Sequence, residues 1–128
     1  MLADLLKAAA LGQGESQRMV RLIVIGLMLL ILPSVALAEK VNVKYRGEVD
    51  LGPFTCHMIQ QSSFVNRVCY DTANSYMLIS LKGTYYHYCA IDAATVNALL
   101  QANSAGTYYN QNIKGHFDCR VNKVPVYQ

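Results

Sequence analysis

Charge is scarce in this sequence, and that scarcity narrows the function classes more than any motif does. Charged residues make up 15% of the chain, and 11 Lys and Arg against 8 Asp and Glu leave a formal net charge of +3. A protein that gains its affinity by neutralising many phosphates needs a denser basic run. No two cysteines are spaced CxxC and no two histidines HxxxH, the close pairs by which structural zinc sites announce themselves. There is no phosphate-binding glycine loop and no Ser-His-Asp order. From Glu39 onward, Asp71 reads as a turn residue and Asp92 as a helix cap, which leaves Glu39, Glu48, Asp50 and Asp118 as free acids. None of them, and none of His57, His87 or His116, stands with a nucleophile in a recognisable arrangement. The expectation is a protein without catalytic residues, cofactor or metal.

An apolar run comes first among the features present. Arg18 and Arg21 flank the start of MVRLIVIGLMLLILPSVALA, Leu22 to Leu32 is uninterruptedly apolar, and Pro33 and Ser34 break it before Ala36-Leu37-Ala38. Positive flank, apolar centre and a small-x-small end are the parts of a secretory signal peptide, cut here between Ala38 and Glu39. A membrane anchor needs about 20 apolar residues, whereas the uncharged stretch from Leu22 to Ala38 is 17 long. The first 18 residues are odd for a signal, since Asp4 and Glu15 are acidic, and Met19 offers an alternative start. Residues 1–38 are therefore read as signal peptide. The chain touches a membrane only through that segment before cleavage, and the mature protein is exported, to the periplasm or the medium.

The mature part, 39–128, carries eight Lys or Arg and six Asp or Glu. A domain of this size buries a modest fraction of its surface and often needs covalent help. Cys56, Cys69, Cys89 and Cys119 are an even set, all beyond the cleavage site, which in an oxidising compartment predicts two disulfides. Three connectivities are open. The pairing preferred from the sequence is Cys56 with Cys119 and Cys69 with Cys89, loops that would contribute roughly 4 and 3 kcal/mol. A metal reading rests on His87 and Cys89, two apart and on one side of a strand, with Cys56-His57 and His116 with Cys119 as further soft ligands; it lacks the close pairs noted above.

Periodicity sketches the fold. Val41, Val43 and Tyr45 alternate with Asn42, Lys44 and Arg46 as a strand with one wet face, and Gly47 to Pro53 breaks the pattern. A connector holding Phe54 and Cys56 leads to the strand Ser63 to Tyr70, and Asp71 to Asn74 makes a turn. Tyr76 to Leu81 and Thr84 to Cys89 are two more strands joined at Lys82-Gly83, where Gly83 can take a positive φ. Asp92 caps a helix over Ala93 to Ala102 that sets Val96, Leu99 and Leu100 on one face, and Asn103 to Gly106 ends it. The fold class predicted is α+β, a small disulfide-stapled antiparallel meander with one helix packed across it. Its parts are an N-terminal strand and connector over 39–61, a central domain over 62–117 and a tail over 118–128.

The central part carries a resemblance. Ser62-Ser63, Val68-Cys69-Tyr70-Asp71, Tyr86-His87-Tyr88, a single helix, and Gly106-Thr107-Tyr108-Tyr109-Asn110 with Ile113-Lys114-Gly115 follow one another in an order that resembles the KTSC domain. That family is named from the C-terminus of some lysyl-tRNA synthetases, and Tyr86 and Tyr88 match its Tyr-x-Tyr. The resemblance covers 62–117 and implies a small α+β domain for which RNA binding has been suggested. This copy departs from the pattern in its export signal and its four cysteines.

Two functions follow as expectations. The first is a non-catalytic binding module for a protein, peptide or envelope component, recognised through exposed Tyr, Asn and a few basic residues. The second is nucleic-acid binding by aromatic stacking and basic contacts. Tyr85, His87, Arg67 and Lys82 would share the solvent face of the sheet, with Tyr108, Tyr109, Asn110 and Lys114 on an adjacent loop. Tyr86 and Tyr88, same-side neighbours, would instead belong to the core.

Overall fold

The computed structural model describes residues 33–34 and 37–127. Most of the segment read as signal peptide, Ala36 included, lies outside the described residues. From Lys40 the chain builds one sheet of six strands: β1 (Lys40–Val43), β2 (Gly47–Asp50), β3 (Thr55–Met58), β4 (Val65–Asp71), β5 (Tyr76–Leu81) and β6 (Thr84–Tyr88). The spatial order is β2-β1-β6-β5-β4-β3, curled as a half-barrel. All pairs are antiparallel except β1 with β6, which meet in parallel at Val43 and Tyr85. Two short helices follow, α1 (Ala93–Gln101) and α2 (Ala105–Tyr108), and a π-helical turn over Tyr109–Ile113 continues α2. The protein is thus α+β with two disulfides, as its sequence predicts.

The central hairpin forms for the reason foreseen. Lys82 and Gly83 both adopt positive φ, 50° and 84°, the conformation that lets a two-residue loop follow the twist of its strands. Asp92 caps α1 by accepting from the Thr95 N–H at 3.1 Å. The helix ends at Gln101, one residue early, because Ser104 starts α2 by accepting from the Thr107 N–H at 3.2 Å.

Three expectations are corrected. Gly47 to Pro53 is not a break, since Gly47–Asp50 returns along β1 as β2. The reversal uses positive φ at Tyr45 (69°) and Gly47 (101°), and only Val49 of β2 turns into the core, so the strand shows no alternation to read. The connector around Cys56 is likewise a strand, β3, paired with β4. The sheet therefore has six strands with one parallel contact, and a second helix stands beside the expected one.

Disulfide pairing follows from this topology. The bonds are Cys56–Cys69 and Cys89–Cys119, not Cys56–Cys119 and Cys69–Cys89. In the β3–β4 register Cys56 stands directly opposite Cys69, with Cα atoms 4.0 Å apart. Cys69 faces Leu78 on β5, and Leu78 faces His87 on β6. Strands are about 4.8 Å apart, so two strand spacings hold Cys69 beyond the roughly 7 Å Cα reach of a bond to Cys89. Cys89 is left to Cys119, which the C-terminal segment brings back beside β6.

Each face of the sheet has its own core. Met77, Ile79, Tyr86 and Tyr88 pack under α1, α2 and the π-turn, against Val96, Leu99, Tyr109 and Ile113. A bulge between Val65 and Arg67 shifts the alternation of β4, so that Val65 and Val68 both join this face. On the opposite face Cys69, Tyr76, Leu78 and Tyr85 lie beneath Val43, Val49, Phe54, Cys119, Val124 and Tyr127. The N-terminal hairpin and the C-terminal segment thus cover a side of the sheet expected to be wet.

Asp71 ties that second core together. Its carboxylate accepts from the Ala73 N–H at 3.1 Å, from the Asn74 amide at 2.6 Å and from the Tyr127 hydroxyl at 2.5 Å. Burial pushes the Asp71 carboxyl up, but these donors together outweigh it and hold it below the usual carboxylate range. A folded-state value depressed below the unfolded one of about 3.9 gives stability that is present above that value and lost as pH falls through the folded one. Asp71→Asn is expected to lose less stability than wild type between pH 6 and pH 3 in urea denaturation. Equal losses would show that Asp71 is not a source of the acid sensitivity.

Candidate binding groove

The predicted surface residues separate into distinct environments. Arg67 and Tyr85 do meet, with Nη1 of Arg67 3.4 Å from the Tyr85 hydroxyl, but the guanidinium is engaged with Glu39 through contacts of 2.6 and 3.0 Å. That bond pulls the Glu39 carboxyl down and the Arg67 guanidinium up. Tyr85 and Arg67 are part-covered, and Lys82 alone of this set stands fully at the surface, in the β5–β6 turn. On the second predicted patch Asn110 and Lys114 are exposed and Tyr108 is half-buried, while Tyr109 is core. Its hydroxyl is hydrogen-bonded to that of Tyr88, 2.5 Å away, because the π-turn rolls this tyrosine inward. The expected patch is therefore not continuous. Tyr86 and Tyr88 pack against the helix-side core as expected.

His87 leads to a site the sequence does not show. Its Nδ1 is hydrogen-bonded to the Tyr76 hydroxyl at 2.8 Å. Burial and the nearby Arg46 lower its pKa against the opposing pull of Asp118, so the ring is neutral at neutral pH. It borders a groove of about 740 Å³ lined by Tyr45, Tyr86, Tyr88, His116, Asp118, Arg120 and Val124, with Cys119 in its wall. Tyr45 is 86% exposed, held at the rim by the left-handed backbone that reverses β1 into β2. Lys44 places its ammonium 5.3 Å from the Tyr45 ring centre and 5.5 Å from that of Tyr86, within cation–π range. Asp118 accepts from Nε and Nη2 of Arg120 at 2.9 and 2.6 Å, which holds its carboxyl below the usual range.

The far wall exists because the C-terminal segment returns to β6. The Cys89 N–H donates to the Phe117 carbonyl at 2.9 Å, and the Cys89–Cys119 bond fixes the turn beyond it. Behind the wall, the Arg46 guanidinium lies 5.1 and 5.3 Å from the ring centres of Tyr76 and Tyr127 and donates to the Pro125 carbonyl. Tyr45, the run Tyr86 to Tyr88 and the run His116 to Arg120 come from three separate stretches of sequence, and no spacing joins them. Among the described residues, no group of three or more His, Cys, Asp or Glu comes together to hold a metal ion.

These features define a small disulfide-stapled α+β module with an open groove beside its sheet. Within it, residues 61–117 match the family model of the KTSC domain. The chain thus carries a KTSC domain over this segment, which runs from the start of the central meander to the residue whose carbonyl pairs with Cys89. No curated protein matches it.

Proposed function

We propose that this is an exported, non-catalytic recognition module that holds a protein or peptide partner in the groove between β6 and the C-terminal segment. The observation that carries the reading is the groove's lining: three tyrosines, two imidazoles and an Arg120 side chain in an open cleft. Aromatic faces with polar tips and adaptable hydrogen-bonding groups suit recognition of polypeptide. Charge supports this over nucleic acid. The cations at the groove are Lys44 and Arg120, the second shared with Asp118, too few to hold a run of phosphates.

Export to the periplasm or medium is supported by the start of the folded unit. Glu39, the residue a cut after Ala38 would leave first, is already tied in: its carbonyl accepts from the Leu51 N–H at 2.8 Å and its carboxylate meets Arg67. Two disulfides fit an oxidising compartment. Removal of 1–38 as a signal peptide would take nothing from β1.

Tyr45→Ser tests the groove, because the side chain is exposed and supports neither core. The immobilised protein is exposed to envelope extract of the producing cell, and bound polypeptides are quantified by mass spectrometry. Recovery of specific partners is expected to fall at least tenfold with Tyr45→Ser while the far-ultraviolet spectrum stays unchanged. Retention unaffected by Tyr45→Ser would remove the groove from recognition. Specific retention of a single-stranded RNA 12-mer, steeply lost with salt, would replace this reading by nucleic-acid binding.

A further inference from the structure

The strand β6 has a gap in its pairing that opens into the groove. Backbone N–H and C=O groups alternate in direction along a strand. On the side of β6 away from β5, Tyr85 is paired, its carbonyl accepting from the Lys44 N–H at 2.8 Å. Cys89 is paired on that side too, its N–H donating to the Phe117 carbonyl at 2.9 Å. His87 lies between them, and among the described residues no backbone or side-chain group pairs with its N–H or its C=O. From Tyr85 to Cys89 is about 13 Å at the usual rise per residue. A donor and an acceptor thus stand side by side at the groove, with room for about three residues of a second extended chain.

The charges around this gap are uneven. Asp118 is the acid in the lining, and its Oδ1 accepts from Nε of Arg120 and its Oδ2 from Nε and Nη2. Arg120 turns Nε and Nη2 to that acid, and among the described residues no acceptor meets its Nη1. Lys44 stands over the rim tyrosines, where the contacts it makes are to their rings. Counted over Lys, Arg, Asp and Glu, Lys44 and Arg120 against Asp118 leave one positive charge in excess.

We propose that the groove takes a short extended peptide segment with acidic side chains, which pairs its backbone with the N–H and C=O of His87. This rests on the groove being the recognition site and names what it recognises. One ligand residue adds itself to β6 through two hydrogen bonds, as in strand addition at a sheet edge. Because side chains alternate along an extended chain, its two neighbours point to the other side. They lie against Tyr45 and Tyr86 at one end and His116 at the other, with their carboxylates near Lys44 and Arg120. The gap is closed at both ends, so the segment is short and need not be a chain terminus.

Three capped pentapeptides test this against the ¹⁵N-labelled protein: alternating glutamate and valine, alternating lysine and valine, and the first with its amides N-methylated. The glutamate peptide is expected to shift the amide signals of Tyr45, His116 and Arg120 and to slow exchange of the His87 amide at least tenfold. The lysine peptide should bind at least tenfold more weakly, and the N-methylated one should give no protection of His87. Shifts around the groove without protection of His87 would overturn the backbone pairing while leaving the groove as a recognition site. Equal binding of the lysine peptide would overturn the acidic preference. If none of the peptides shifts any groove signal, the proposal falls, and the Tyr45→Ser capture experiment decides separately whether the groove recognises anything.

Discussion

Replacing Cys89 and Cys119 by alanine is expected to cost about 4 kcal/mol of folding stability, against about 3 kcal/mol for the Cys56 and Cys69 pair. The difference comes from loop length. One bond spans 30 residues and the other 13, and the longer loop removes more freedom from the unfolded chain. Domains of this size have only about 5 to 15 kcal/mol in all, so the first loss lowers the melting temperature by something on the order of 20 °C. The longer loop also has a structural consequence the shorter lacks. Cys119 anchors the segment that carries Val124 and Tyr127 onto the second core and Asp118 and Arg120 onto the groove wall. Its release exposes Phe54 and Tyr76, whereas β3 keeps its ladder with β4 when Cys56–Cys69 is lost. Guanidinium denaturation of both double variants under non-reducing conditions measures this. A smaller loss for the Cys89 and Cys119 pair would show that the segment contributes little once the chain has folded.

How much of this was legible in the sequence depended on whether a feature was local. The β5–β6 hairpin is written in Tyr76 to Tyr88, where a β-rich run meets Lys82-Gly83 and another follows, and α1 in Asp92 followed by Val96 and Leu99. These are local patterns, and their bounds fall within about a residue. β2 was missed because only Val49 of its four residues is buried, so nothing alternates. The wetness assigned to Tyr85 and His87 failed for a different reason. Alternation reveals that they face away from Tyr86 and Tyr88, but not that the N-terminal hairpin and a returning tail cover that side. The disulfides illustrate the same limit: an even cysteine count predicted two bonds, while the pairing needed the β3–β4 register. The groove was illegible because Tyr45 and Arg120 come to one cleft only after β1 lies beside β6 and the C-terminal segment returns to Cys89.

Gly106 provides the sharpest test of how α2 docks. A methyl group added there would lie 2.5 Å from Cε1 and 2.8 Å from Cζ of Phe64, closer than packed carbons come. Gly106 is buried in the first turn of a four-residue helix whose cap, Ser104, fixes its position. The Phe64 ring in turn stands edge-on to Tyr109, with ring centres 6.2 Å apart, so swinging it away disturbs the tyrosine that pairs with Tyr88. Overpacking of this kind costs about 1–3 kcal/mol, and Gly106→Ala is expected to lose that much despite alanine's better helix propensity, which is worth up to about 1 kcal/mol in the opposite direction. Gly106 has no positive φ to defend, so the contact with Phe64 is the whole of the effect. Phe64→Leu in the Gly106→Ala background makes room for the methyl and should recover part of the loss, a coupling that denaturation of the single and double variants reads directly. Strict additivity of the two substitutions would mean that α2 reaches the sheet without the close approach that glycine permits.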